Sequence, residues 1–380
     1  MKIFIDVRSL YASIVSGVPE YTRLMTKSLA AEAPGEEFLF FANRSGKNRG
    51  GYPLENTVKG TWLNYGIPNK VWGIANRFFN FPKIDRLVAA DVYWSPHMDI
   101  LSFENPGKHI LTIHDLSFVL YPEFFTWTKN FWHWRQNYEK QIREAGRIVA
   151  VSEFTRQSII DRFHVKPEKI VRIYPGVNNS YRQLESGDER LREFPRAKNI
   201  DFPFLLQVGT LEPRKNAIGT IRAFNLLKQK EQFKNVKLIL VGARGWLYEK
   251  IFAEAEHSPF RDDILIWGRA TEEDLLMLYN LASVFVYPSF FEGFAFPCLE
   301  AQICGTPVVA SDRGPMPEVL GESAILVNPW KSYQLALAIE DVLLENKTKE
   351  RLIAAGRENA KRFDWKQSAG ALLDTFKTIA

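Results

Sequence analysis

Short apolar runs alternate with longer amphipathic stretches along the whole 380-residue chain. The apolar runs have the length of buried strands and the amphipathic stretches that of helices. Strict alternation of the two favours parallel sheets with helices on both faces. The predicted strands are "KIFIDV", "HILTIHD", "RIVAVS" and "KIVRIY", followed by "FPFLLQVG", "VKLILVG", "DILIWG", "SVFVYPS", "TPVVAS" and "AILVNP". The sequence therefore predicts an α/β fold with two doubly wound, Rossmann-like domains.

A polar segment containing Gly and Pro, residues 174–203, separates the two halves and precedes a fresh strand. A chain of this length exceeds one comfortable core, and domain boundaries fall in such segments. Ligands of doubly wound sheets bind outside the carboxyl ends of the strands. In two such domains these ends can face each other across a cleft, so residues that directly follow a strand are the first candidates for function.

Basic residues are concentrated in the first half. Residues 1–177 contain 23 Lys and Arg against 17 Asp and Glu, whereas the remainder contains 26 against 27. Such a half could meet nucleic acid, an anionic membrane surface or a phosphorylated substrate, or it could be a solvated surface. Because no finger spacing, RNP-type strand or Lys/Arg block occurs, nucleic acid is not expected as a partner.

Location and metal content follow from simple patterns. No apolar run is long enough to span a membrane, and Asp6 falls where a signal peptide needs an apolar centre, so we expect a cytoplasmic protein. Cys298 and Cys304 lie six residues apart in one predicted helix and cannot readily pair. Neither these cysteines nor the histidines show metal-ligand spacing, so no metal site is expected.

Polar residues follow two strands of the first half. Ser16 and Gly17 precede a predicted helix, where a glycine either lets the backbone approach an anionic ligand or simply makes a turn. His114 and Asp115 end the strand "ILTI", which suggests a ligand contact, although a histidine beside a core is often structural.

The strand "LLQVG" ends at Gly209 and is followed by Glu212, Arg214 and Lys215, just before a helix. Two adjacent cations at a helix start oppose the helix dipole, unless an anion satisfies both. This arrangement favours a phosphate site over a solvated pair, which stays open as an alternative.

Glu292 and Glu300 flank a loop and helix start, "GFAFP", after the strand "SVFVYPS". Backbone N–H groups of Gly293, Phe294, Ala295 and Phe296 would be exposed between them as donors. A ligand with both hydroxyls and phosphates suits such a site, and a sugar nucleotide has both.

These residues resemble the retaining GT-B glycosyltransferases of glycosyltransferase family 4, and the bacterial polysaccharide mannosyltransferases among them, over nearly the whole chain. The resemblance rests on "SGVPEYTRLM", "HD", "VSEFTRQSI", "IYPGV", "VGTLEPRKN", "VYPSFFEGFAFPCLEAQICGTPVVAS" and "RFDWKQSA". It implies that the closing helix crosses back to the first domain. The implied domains are therefore residues 1–177 with 364–380 on the acceptor side, and residues 178–363 for the nucleotide-sugar donor.

The resemblance also implies roles for individual residues. Arg214 and Lys215 would neutralise the donor diphosphate, and Glu300 would accept hydrogen bonds from the ribose. Glu292 and His114 would contact the transferred sugar, the former helped by the loop 293–296. Gly17 would let the first loop approach the phosphate or the sugar, Gly209 would belong to the donor-binding residues, and the base would lie near Gly268 and Arg269. Ala295 departs from the family, which commonly has a glycine there.

The family's usual chemistry is front-face attack with retention, in which the leaving phosphate helps to deprotonate the acceptor. No D-x-D motif occurs, so cations are expected to replace the metal that some other glycosyltransferases use. A glycosidase, a nucleotide-sugar epimerase of the same build and a non-catalytic sugar-nucleotide-binding protein are the alternatives. A GDP-hexose, with mannose first, is the expected donor, and UDP- or dTDP-sugars come next.

The acceptor is expected to be a saccharide or a lipid-linked saccharide. Residues 69–83 and 127–143 mix Trp and Phe with Lys and Arg, as helices at a membrane interface do. Packing of these aromatics in the core is the alternative. If they face lipid, the protein would act at the cytoplasmic face of the membrane.

Overall fold

The computed structural model of the chain describes residues 1–11, 17–43 and 54–380. The chain divides into two compact units. The first comprises Met1–Pro122, Trp127–Gly176 and Phe363–Ala380, and the second comprises Glu123–Thr126 and Val177–Arg362.

Seven parallel strands form the sheet of the first unit within the described residues. They are β1 (Lys2–Asp6), β2 (Glu37–Phe41), β3 (Thr61–Leu63), β4 (Val92–Ser95), β5 (His109–Ile113), β6 (Arg147–Ala150) and β7 (Ile170–Arg172). Their order across the sheet is β3-β2-β1-β4-β5-β6-β7. The helices of this part of the chain are α1 (Gly17–Glu32), α2 (Asn69–Phe79), α3 (Ile84–Leu87), α4 (Ser117–Leu120), α5 (Trp127–Arg135), α6 (Tyr138–Glu144) and α7 (Glu153–Phe163).

The sequence pattern missed three strands of this sheet, "EFLFF", "TWL" and "VYWS". They are rich in aromatic residues and two of them have four residues or fewer. Short aromatic runs serve equally well in helices, loops and strands, so their pairing with β1 and its neighbours decides their conformation.

Six parallel strands, all of them predicted, form the sheet of the second unit in the part of the chain that is described. They are β8 (Phe204–Val208), β9 (Lys237–Val241), β10 (Ile264–Gly268), β11 (Val284–Tyr287), β12 (Val308–Ser311) and β13 (Ile325–Val327), in the order β10-β9-β8-β11-β12-β13. The helices are α8 (Arg190–Lys198), α9 (Ala217–Lys228), α10 (Glu249–Glu256), α11 (Glu272–Leu281), α12 (Phe296–Ile303), α13 (Met316–Leu320), α14 (Ser332–Leu344) and α15 (Asn346–Ala360). The predicted fold class of two doubly wound parallel sheets is confirmed.

The last helix, α16 (Trp365–Lys377), belongs to the first unit, as expected for a closing segment that crosses back. Its indole at Trp365 lies 5.7 Å from the ring of Tyr21 in α1. A Cβ on Gly176 would lie 2.4 Å from the Trp365 backbone nitrogen. Only glycine at position 176 therefore allows the returning chain to approach so closely.

Residues 123–126, which the predicted boundaries placed in the first domain, group with the second unit. The ring of Phe124 stacks on Phe290 at 5.7 Å, and the ring of Phe125 stacks on Trp246 at 5.3 Å. The indole N–H of Trp246 also donates to the Phe124 carbonyl. These aromatic contacts join distant parts of the chain, so a reading of consecutive residues misses them.

Candidate active site

In the second sheet, the chain first adds strands on one side of β8 and later on its other side. The next strand along the chain, β9, lies on one side of β8, whereas β11 lies on the other side. Both β8 and β11 run parallel, so the loops after them emerge at the same edge. Ligands of doubly wound sheets bind at such a point. The two charged motifs of the sequence, "EPRK" and "FFEG", follow these two strands.

The two motifs meet in a network of ion pairs. The guanidinium of Arg214 donates from Nη1 to Glu292 Oε2 at 2.8 Å, and from Nε and Nη2 to Glu212 Oε1 at 3.0 and 2.7 Å. The ammonium of Lys215 donates to Glu292 Oε1 at 2.6 Å and to the Tyr287 hydroxyl at 2.7 Å. Both carboxylates are buried, and both cations are mostly so.

Charge in this network balances, with two cations against two carboxylates. Burial opposes ionisation of Glu292, but the charges of Arg214 and Lys215 outweigh it and lower the pKa of that carboxyl to about 2. Burial, together with the Glu292 carboxylate, raises the pKa of Tyr287 well above its usual value. Glu292 is therefore an anion and Tyr287 a neutral hydrogen-bond donor at neutral pH.

Asn216, whose role the sequence pattern does not indicate, holds the two loops together. Its backbone is left-handed, with φ 53°. The side-chain Oδ1 accepts from the Gly219 N–H at 3.1 Å and so caps α9, while Nδ2 donates to the carbonyls of Pro288 and Pro329 at 3.0 and 2.8 Å. The loops after β8, β11 and β13 are thereby fixed to one side chain.

Glu300 lies on the first turns of α12, apart from the ion pairs of Glu292. Its Oε2 accepts from the hydroxyl of Tyr279 in α11 at 2.8 Å. Burial, reinforced by the Glu300 charge, raises the pKa of Tyr279 well above its usual value. Tyr279 therefore remains a donor that fixes the half-buried carboxylate of Glu300.

The loop between the two glutamates is packed inward, whereas the sequence predicts that its backbone is exposed. Gly293, Phe294 and Ala295 are buried and Phe296 is half-buried, with the rings of Phe294 and Phe296 at 5.2 Å. Ala295 has φ 130° and ψ 43°, a conformation that glycine adopts readily and other residues rarely do. The glycine that the family has at this position is thereby explained, and Ala295 is held there under strain.

Replacing Ala295 with glycine is expected to raise the free energy of unfolding by about 1 kcal/mol, because the strain of an alanine at this φ disappears. Ala301→Gly is the matched control, since Ala301 is also buried and lies within α12 in ordinary helical conformation. That change should lower the free energy of unfolding by about 1 kcal/mol. Urea unfolding measures both. If both changes lowered the free energy of unfolding equally, the backbone of Ala295 would not be strained.

The remaining residues predicted for the donor side lie along the same sheet edge. Gly209, with φ 152°, follows β8, and a Cβ there would lie 3.6 Å from the Lys215 stem. Gly268, with φ 79°, ends β10, two strands away from β8. Arg269 is exposed beside it. The structure thus places Gly209 against the ion-pair network, and Gly268 and Arg269 at a distance from it.

The other predicted residues belong to the first unit. His114 follows β5 and shares a 2.7 Å hydrogen bond from its Nε2 with the Pro96 carbonyl, so Nε2 carries the proton and Nδ1 is an acceptor. Burial lowers the pKa of His114 to about 4, so this ring is neutral at pH 7. Gly17 is exposed at the start of α1, whereas Ser16 lies outside the described residues.

Comparison with known proteins identifies the class. The family model described as glycosyltransferase family 4 matches residues 15–181, and that described as glycosyl transferases group 1 matches residues 189–359. The chain is also 31% identical, over 272 residues, to the O-antigen chain mannosyltransferase B of Escherichia coli. This match covers 72% of the chain and 71% of that protein. The chain therefore belongs to the family 4 glycosyltransferases.

A further relative and two solved structures are also similar to this chain. The serotype-specific mannosyltransferase WbdA of Escherichia coli is 27% identical over 275 residues, which are 72% of this chain and 34% of that protein. The sucrose-phosphate synthase of Thermosynechococcus elongatus superposes with a TM-score of 0.77 at 21% identity, covering 99% of this chain and 98% of that one. Anabaena HepE, solved with UDP and glucose, gives 0.73 at 17% identity with full coverage of both chains. The two solved structures share the fold.

Proposed function

We propose that this protein is a retaining, metal-independent hexosyltransferase of cell-surface polysaccharide synthesis. It transfers a hexose, with mannose from GDP-mannose as the leading candidate, to a saccharide or a lipid-linked saccharide. The observation that carries the proposal is the network of Arg214, Lys215 and Glu292 where β8 and β11 end. The mannosyltransferase names of the Escherichia coli relatives favour mannose over other hexoses.

In the proposed reaction the bond between the sugar C1 and the diphosphate oxygen breaks, and C1 bonds to an acceptor hydroxyl on the same face. The acceptor proton passes to the leaving phosphate oxygen. Arg214 and Lys215 stabilise the negative charge that develops on the diphosphate, which is the task of a metal ion in other transferases. Glu292 orients the sugar through its hydroxyls, and the neutral ring of His114 accepts from another hydroxyl.

Nucleotide recognition is assigned to Glu300. A carboxylate accepts well from the two hydroxyls of a ribose, and the bond from Tyr279 orients it for this purpose. A UDP-sugar would use the same carboxylate in the same way, because the ribose and the diphosphate do not distinguish the bases. A dTDP-sugar has a deoxyribose and would offer Glu300 only its 3′-hydroxyl.

The first test is calorimetric titration of the protein with GDP, UDP, dTDP and ADP in EDTA. One nucleotide should bind without metal, and Glu300→Ala should weaken its binding by about tenfold to a hundredfold, as expected for lost charge-assisted hydrogen bonds. Glu340→Ala is the matched control, because Glu340 pairs with Lys230 on the surface of the same unit. Binding of no nucleotide, or equal binding by all variants, would overturn the assignment.

Product analysis separates the remaining alternatives. A transferase releases free nucleotide together with a new glycoside and needs an acceptor. A nucleotide-sugar epimerase forms product without an acceptor, and a glycosidase needs no nucleotide. A non-catalytic binding protein forms no product from a nucleotide-sugar or from a glycoside.

A further inference from the structure

A surface of the first unit carries an unusual number of exposed aromatic side chains. It is formed by α2 with the turn after it and by α5, and we refer to it as the aromatic surface. Phe79 and Trp127 are 75% and 77% exposed. Its other exposed apolar residues are Val71, Ile74, Phe78, Phe81, Phe131, Trp132 and Trp134.

Helix α2 is apolar on the face that looks outward. Trp72 and Asn76 are buried and anchor the helix to the domain. Val71, Ile74 and Phe78 follow at helical spacing on the exposed side. A helix that only needs to cover a core places polar residues there. The outward stripe of α2 therefore lacks the polar character expected of a surface facing water.

Helix α5 contains no fully buried residue, and its exposed residues carry large rings. Trp127, Phe131 and Trp134 stack in succession, with ring centroids 5.6 Å apart at each step. The guanidinium of Arg77 in α2 lies 4.7 Å from the ring centroid of Trp134. This cation–π contact joins the two helices, so their exposed apolar stripes form one continuous surface.

Charge on this surface has a single sign. Residues 64–84 and 126–138 contain no Asp or Glu. Their cations are Lys70, Arg77, Lys83, Lys129 and Arg135. Such a surface complements an anionic one and repels a second copy of itself. Lysine is also depleted at protein–protein interfaces, whereas Trp and Phe beside Lys and Arg are typical of helices that lie in a membrane interface.

We propose that the aromatic surface binds an anionic lipid bilayer, with the rings at headgroup depth and the cations against the lipid phosphates. No helix of the described residues is long and apolar enough to cross a bilayer, so the binding we propose is interfacial. It deepens the proposed function, since it would bring a lipid-linked acceptor within reach, but it depends on none of the residues assigned to the donor.

The test is sedimentation of the full chain with vesicles of phosphatidylcholine, with and without about one third phosphatidylglycerol. The protein should pellet with the anionic vesicles. Phe78→Ser with Phe79→Ser, and separately Trp127→Ser with Phe131→Ser, should weaken this binding by about tenfold or more. Lys70→Gln with Lys129→Gln should weaken it at low salt and have less effect at high salt.

Tyr333→Ser with Leu337→Ser is the matched control, because these side chains are 64% and 43% exposed on α14 but lie in the second unit. This variant should bind vesicles like the wild type. Nucleotide calorimetry should be unchanged in all variants, which separates a failure of this proposal from a failure of the proposed function. The proposal would be overturned if the protein did not bind vesicles or if the control variant lost vesicle binding equally. It would also be overturned if the protein formed a dimer that the Phe and Trp changes dissociate.

Discussion

Replacing Arg214 with alanine is expected to lower kcat/KM for sugar transfer by about a thousandfold, a loss typical of removing a group that stabilises transition-state charge. The guanidinium is fixed on two sides, by Glu212 and by Glu292. It is therefore oriented before the donor binds and needs no reorganisation during the reaction. The measurement is steady-state transfer with the nucleotide-sugar that calorimetry selects.

The control for this change is Arg222→Ala. Arg222 makes a similar two-point contact with Glu254, at 2.7 and 3.0 Å, but on the exposed side of α9. Arg222→Ala should leave kcat/KM for sugar transfer unchanged. Arg214→Lys keeps the charge and loses the fork of donors, so its activity should lie between wild type and alanine. Full activity of Arg214→Ala in a folded protein would remove the guanidinium from the mechanism.

The fold of the second unit could be predicted almost completely because its strands are aliphatic and buried on both faces. Runs such as "VKLILVG" and "TPVVAS" suit the middle of a parallel sheet. In the first unit β2 and β4 are aromatic, and β3 has three residues, so their local signal is weak. Their conformation depends on pairing with distant strands, which a local pattern does not contain.

The charged members of the candidate site could also be predicted, whereas the residues that hold them could not. Arg214 and Lys215 draw notice because cations at a helix start oppose the dipole. Asn216 contacts carbonyls 72 and 113 residues further along the chain. Tyr287 reads as an ordinary strand residue until the fold brings Lys215 and Glu292 to its hydroxyl. Such contacts are products of topology.

The aromatic helices α2 and α5 show a different limit of prediction from the sequence. In α2, apolar residues occupy both the buried face, at Trp72, and the outward face, at Ile74 and Phe78. Periodicity can identify an apolar face but cannot decide which of two faces meets the core. The sequence pattern therefore does not decide between core packing and surface exposure, and the structure shows that most of these aromatics are exposed.

Replacing Glu292 with glutamine should separate catalysis from nucleotide binding. The carboxylate now occupies both Arg214 and Lys215, the two cations assigned to the diphosphate. Removing its charge leaves two cations, Arg214 and Lys215, against the carboxylate of Glu212 within this network. A nucleoside diphosphate should then bind about tenfold more tightly, because the repulsion between the Glu292 carboxylate and the diphosphate is lost. Transfer should fall about a hundredfold or more, because the sugar hydroxyls lose the negatively charged oxygens of Glu292 as hydrogen-bond acceptors.

The pH dependence of stability offers an independent check on the same residue. The pKa of Glu292 is about 2 in the folded protein and 4.5 in a free side chain. A lowered pKa stabilises the folded state above pH 4.5, and this contribution is lost as the pH falls towards 2. The free energy of unfolding of Glu292→Gln should therefore depend less on pH in this range than that of the wild type. Urea unfolding at several pH values measures it.

Glu300→Gln supplies the opposite signature to Glu292→Gln. It should weaken nucleotide binding, because the amide is a poorer acceptor for ribose hydroxyls than the carboxylate is. It should leave the pH dependence assigned to Glu292 in place, since the two carboxylates belong to different hydrogen-bond networks. If both variants lost nucleotide affinity equally, Glu292 would have to be reassigned from the sugar to the nucleotide. If Glu292→Gln transferred sugar at the wild-type rate, its ion pairs with Arg214 and Lys215 would be structural.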